Sequence, residues 1–152
     1  MKEIFLRLFK EMLSTATAAQ VISVDKSENT CDVSPMDGGA DILDVQLRAA
    51  AEGTSGCVNY PSPGSIVLVA PIDNSKSSFA VIMFSEMEEI HTEIDKTKLI
   101  INKTGVTISK GNDSLKGILT DLVDQMLDIY APKNAPGIAA IKIKINNLLK
   151  TD

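Results

Sequence analysis

The side chains best equipped for chemistry are a single histidine, His91, and the glutamates around it, Glu86, Glu88, Glu89 and Glu93. Paired carboxylates that flank a cleft can hydrolyse glycosides, one as acid and the other as base or nucleophile. A strand, however, sends successive side chains to opposite faces, so this run is scattered over a surface. Three copies of His91 on a molecular axis could hold an ion through their imidazoles. A solvated strand residue is the simpler reading. Ser62, Ser65 and Thr54 have no adjacent base of the kind an activated nucleophile requires. The stretch Gly53-Thr54-Ser55-Gly56 and the pair Gly38-Gly39 lack the lysine and the strand-to-helix setting of a phosphate loop, and read as turns. No catalytic residue, metal ligand or cofactor site is therefore expected.

Charge points away from nucleic acid. The net charge is −5 and no basic stripe is visible, whereas displacing counterions from phosphates needs clustered Lys and Arg. Aromatic residues make up 4% and Trp is absent, which disfavours stacking platforms for bases or sugars. The two cysteines, Cys31 and Cys57, could pair, but Cys31 alternates with Asp32 in a strand pattern and reads as a buried thiol. No run approaches the roughly 20 apolar residues of a membrane span.

These side chains are carried by a chain whose rhythm changes near residue 86. Residues 1–15 read as an amphipathic helix, with Ile4, Phe5, Leu8, Phe9, Met12 and Leu13 on one face. Arg7, Lys10 and Glu11 interrupt the apolar start, so it does not read as a signal peptide, and the chain is expected to be made in the cytoplasm. Residues 16–86 read as five strands: Ala19–Asp25, Thr30–Met36, Asp41–Ala49, Ser65–Ile72 and Ser78–Ser85. Ile42 and Asp44 are expected on one face of the third, and Leu43, Val45 and Leu47 on the other. Ala50–Gly64 reads as a long connection. Five strands with one irregular loop suit a Greek-key barrel of the OB type better than a sandwich.

Residues 87–111 read as a stem of short strands. Ile90, Thr92 and Ile94 share a face, and Leu99–Ile101 and Val106–Ile108 follow across the turn Asn102-Lys103-Thr104-Gly105. Strands this short need a partner, and another copy of the chain is the expected one. Residues 112–152 read as two helices. Asn112-Asp113-Ser114 supplies cap oxygens for the first, whose apolar positions are Leu115, Ile118, Leu119, Leu122, Val123, Met126 and Leu127. Pro132 and Pro136 break it, and Ile138, Ile141, Ile145, Leu148 and Leu149 continue the stripe in the second.

The order of parts resembles the baseplate-hub and tail-spike proteins of contractile phage tails and related injection machines, of the small baseplate-assembly-protein-V type. The resemblance is carried by Gln20–Asp25 with Cys31-Asp32-Val33, by Asp41–Arg48, by the re-entry Pro61-Ser62-Pro63-Gly64-Ser65-Ile66-Val67-Leu68-Val69, and by Lys98–Asn102 with Gly105–Ile108. It implies a non-enzymatic homotrimer made of an OB-fold barrel, a short stem of intertwined β-strands and two C-terminal helices, set among other tail or baseplate proteins in a virion or injection machine. The stem is far shorter than a piercing needle and the paired His-x-His of some spike tips is absent, which implies a hub more than a puncturing device. Ile90, Ile94, Leu99, Ile101, Val106, Ile108, Leu115, Leu119 and Leu122 are the expected contacts between copies. An OB module that binds oligosaccharide or nucleic acid is the alternative. It requires exposed aromatic and basic residues where this chain has Asp32, Asp37, Asp41 and Asp44. A third possibility is an enzyme accessory subunit that trimerises through the C-terminal helices alone.

Overall fold

A computed structural model describes residues 16–48, 55–72, 77–130 and 135–150. The amphipathic segment 1–15, the tip of the Asp73–Ser77 loop and Pro132 lie outside the described residues. The chain is mainly β, with a closed five-stranded barrel, a second five-stranded sheet and two C-terminal helices. It divides into two compact units, residues 1–52 with 59–87, and residues 53–58 with 88–152.

The first unit is the barrel. Strands β1 (Thr17–Asp25), β2 (Thr30–Pro35) and β3 (Ile42–Gln46) form an antiparallel meander, and β5 (Ile66–Pro71) and β6 (Phe79–Phe84) form a hairpin. Closure comes from β1 against β5, antiparallel, and from β3 against β6, parallel at Gln46–Ala80. The interior is filled by Ala19, Val21, Cys31, Val33, Val45, Val67 and Val69. Small β-branched side chains suit it, because a five-stranded barrel leaves a narrow core. Bulges bend the strands to close the circle, with Ile22 unpaired in β1 and Ile82 in β6.

A third bulge overturns the expected alternation of β3. Leu43 and Asp44 together oppose Asp32, between the pairs Val33–Ile42 and Cys31–Val45. Asp44 takes a left-handed φ of 55° and its N–H donates to Asp32 Oδ1 at 3.1 Å. The extra residue turns Leu43 outward, 66% exposed, while Val45 and Leu47 stay buried. At the re-entry to β5, Pro63 and Gly64 occupy the centre of a turn closed by Ser65 N–H donating to the Ser62 carbonyl at 3.0 Å. Gly64 has φ of 85° there, the conformation that favours glycine.

The expected connection Ala50–Gly64 also needs correction, for it contains strand β4 (Gly56–Pro61). Tyr60 of this strand is buried in the first unit, and its hydroxyl donates to Asn29 Oδ1 at 2.7 Å. Prolines and small residues masked the alternation of Val58 and Tyr60, both buried.

The second unit holds a sheet in the order β10-β9-β8-β7-β4, with β7 (Met87–Ile94), β8 (Thr97–Asn102), β9 (Gly105–Lys110) and β10 (Asp113–Ser114). Here the expectation of intertwined copies meets a difference. Strands β7, β8 and β9 pair residue for residue within the chain, from Glu89–Asn102 through Ile94–Thr97 and from Thr97–Lys110 through Asn102–Gly105. Tight reversals at Asp95-Lys96 and Lys103-Thr104 make this possible. Asp95 takes a left-handed φ of 54° and Gly105 one of 147°. Local hairpins close faster and at lower entropic cost than pairing between chains.

Helix α1 (Leu115–Tyr130) starts at Ser114, whose Oγ accepts the Gly117 N–H at 3.0 Å. Such a cap contributes about 1 kcal/mol. Helix α2 (Ala135–Leu148) contains Pro136. Pro136 therefore does not end a helix; it sits in the first turn of one, where the missing N–H has no helical acceptor to satisfy. The chain then returns to the sheet. Leu149 forms a parallel bridge with Val106, and Lys150 N–H donates to the Val106 carbonyl at 2.8 Å.

Candidate functional site

Directly paired residues in a sheet share a face, so the register of β7, β8 and β9 decides what alternation alone could not. Ile90 pairs with Ile101 and Ile101 with Val106; Thr92 pairs with Leu99 and Leu99 with Ile108. Ile94 belongs to the same alternate row of β7 and pairs with Thr97. Ile90, Ile94, Leu99, Ile101, Val106 and Ile108 thus form one continuous apolar face. Ile94 is 65% exposed, Ile101 40% and Ile108 39%, with the other three half-buried. Thr92 Oγ1 donates to Cys57 Sγ at 3.4 Å, which adds β4 to this side. Alternation puts Glu88 at one corner and Lys110 at another.

The opposite face is polar. It carries Glu89, His91 and Glu93 on β7, Lys98, Ile100 and Asn102 on β8, and Thr107 and Ser109 on β9. Glu89 Oε2 accepts Asn102 Nδ2–H at 3.1 Å. His91 Nε2 lies 3.6 Å from Glu93 Oε2, too long for a hydrogen bond. The acidic run is divided between the two faces, with Glu86 exposed beyond the strand. Among the described residues no group of three or more His, Cys, Asp or Glu could hold a metal ion, and no helix is long and apolar enough to cross a membrane.

The structure does not bring all nine expected contact residues together. On α1, Leu115 and Leu119 are half-buried on the row that leads to buried Val123, whereas Leu122 is exposed. Leu122 belongs to a row with Ile118 and Met126, both exposed as well. Periodicity found the apolar positions of this helix but not their division into two rows, because the stripe is wide enough to serve two surfaces. In the barrel, the Asp32 carboxylate is occupied by Ser23 Oγ at 2.8 Å and by the Asp44 N–H. Asp25 likewise accepts from Ser27 and Glu28, and the Ser27 hydroxyl first, then these backbone N–H groups, hold its carboxyl below the usual range.

Neither cysteine is in a disulfide; Cys31 is buried and Cys57 exposed. Burial first, and the nearby Asp32 charge second, push the Cys31 thiol from 9.0 up to about 12. The unfolded chain ionises this thiol before the folded one does. Its contribution to stability is therefore complete below pH 9.0 and is lost as pH rises toward about 12. We expect the urea midpoint of the native protein to fall with rising alkalinity more steeply than that of Cys31→Ala. A thiol reagent should modify Cys57 in the folded protein and Cys31 only after unfolding; equal reaction rates would contradict this placement. Compared with known proteins, the chain matches no family model, no curated protein and no solved structure.

Proposed function

We propose that this chain is a structural, non-catalytic component of a contractile phage-type tail, a homotrimeric hub or spike protein that organises the tail centre. The observation that carries this reading is the apolar face of the second sheet. A face of six aliphatic side chains, three of them open to water, marks an interaction surface. Its interior carries no charge, so identical faces can meet without burying an unpaired ion. Three copies around an axis enclose it, each contributing a sheet already paired within itself, and the result is a short, stiff column.

The barrel supports an OB-type assignment. Counted within the barrel, its strand order is 1-2-3-5-4, closed by an antiparallel 1–4 pair and a parallel 3–5 pair. The order of barrel, sheet and helices agrees with the hub and spike resemblance carried by the sequence. The chain's role is then mechanical, with the enclosed sheets as its load-bearing part. Quantitative mass spectrometry of contractile tails purified from cells that make this chain tests the assignment. Three copies per tail are expected, and intact tails that lack the chain would overturn it.

A further inference from the structure

The two C-terminal helices carry a second set of unsatisfied surfaces, and their charges differ in sign. Helix α1 has one lysine, Lys116, and three aspartates, Asp121, Asp124 and Asp128, while α2 has Lys142 and Lys144 and no acid. Within the chain this difference is already used. Lys142 Nζ donates to both carboxylate oxygens of Asp124, at 2.6 and 2.8 Å. Asp121, Asp128 and Lys144 remain exposed. Beside them lie apolar rows: Ile118, Leu122 and Met126 on α1, and Ile141 and Leu148 on α2, the last two with Lys144 between them at helical spacing.

We propose that in the trimer the helix pairs close into a six-helix ring, α1 of each copy packing against α2 of the next. This rests on the homotrimer reading above. The contact repeats between chains what Asp124 and Lys142 do within one. The apolar row of α1 meets Ile141 and Leu148, and Asp121 and Asp128 face Lys144. Contact of α1 with α1 would bring aspartates together, and contact of α2 with α2 would bring lysines together. Like charges therefore select against a two-fold, self-complementary pairing. A contact between two different surfaces propagates in one direction and closes as a ring when its rotation is one third of a turn, the symmetry a three-fold tail centre requires.

Disulfide trapping of the full chain tests this directly. In a Cys57→Ser background, Leu122→Cys/Ile141→Cys should give covalent dimers and trimers under mild oxidation, while either substitution alone should leave only monomer on a denaturing gel. Cross-linking by Leu122→Cys alone would show α1 meeting α1 and overturn the ring. So would a trimeric mass in solution with no cross-link in the double variant. A monomeric mass would instead overturn the homotrimer reading on which the ring depends, so the two failures are distinguishable. Lys144→Asp should weaken association, and adding Asp121→Lys and Asp128→Lys should restore it. Weakening without restoration would also count against the ring.

Discussion

Ile101→Asp should convert the proposed trimer into a folded monomer. Ile101 lies at the middle of the sheet face, paired with Ile90 on one side and Val106 on the other. It is 40% exposed in the single chain, so a carboxylate there can stay hydrated and the hairpins survive. In the proposed trimer the same position would be enclosed by neighbouring copies. Each copy would then bury an unpaired charge, at several kcal/mol each even after relaxation. A loss of about 4 kcal/mol is roughly a thousandfold in association, enough to dissociate the assembly at micromolar concentration. Val106→Asp should act in the same way. Lys98→Ser, on the polar face, should leave the trimer intact. Light scattering together with circular dichroism separates dissociation from unfolding; an Ile101→Asp protein that stays trimeric would remove the sheet face from the interface.

Val69→Asp should instead unfold the barrel. Val69 is 1% exposed and sits in the strand that closes the circle, paired with Thr17 on one side and Val81 on the other. Among the described residues no basic side chain is buried, so the carboxylate must either remain charged in an apolar interior or take up a proton. The cost is several kcal/mol, comparable with the whole stability of a small domain, about 5–15 kcal/mol. Val69→Ala removes only methyl groups and should cost about 2 kcal/mol. Met83→Asp, on the exposed side of β6, should change stability by no more than about 0.5 kcal/mol. Tyr60 is buried in the same unit, and in a Tyr130→Phe background its fluorescence is a local reporter. A Val69→Asp protein with a native melting midpoint would contradict the assignment of this core.

Which parts of this molecule were legible in the sequence follows from how locally each is determined. The barrel strands could be read because alternation and turn residues act over a few positions, as in Thr30–Pro35 or across Pro63-Gly64. The Ser114 cap and α1 were legible for the same reason. Strand β4 was not, since Gly56 and Pro61 at its ends resemble loop residues and its partner, β7, lies some thirty residues further on. The bulge at Leu43-Asp44 was also hidden. An aspartate in the left-handed region is decided by the Asp32 carboxylate across the sheet, which no local pattern reveals. For the candidate site, alternation identified the six apolar residues, but only the register shows that they share one face. That Gly105 admits the close approach of Leu148 and Lys150 was beyond any periodicity. A side-chain carbon there would lie 2.7 Å from the Leu148 carbonyl oxygen.

The proposed trimer requires that identical sheet faces meet around a three-fold axis. The decisive measurement is the mass of the 152-residue chain in solution, by size exclusion with multi-angle light scattering. A mass about three times the 16.3 kDa of one chain is expected, unchanged on dilution to low micromolar concentration and reduced to one chain by Ile101→Asp. A native protein that elutes at 16.3 kDa under the same conditions contradicts it.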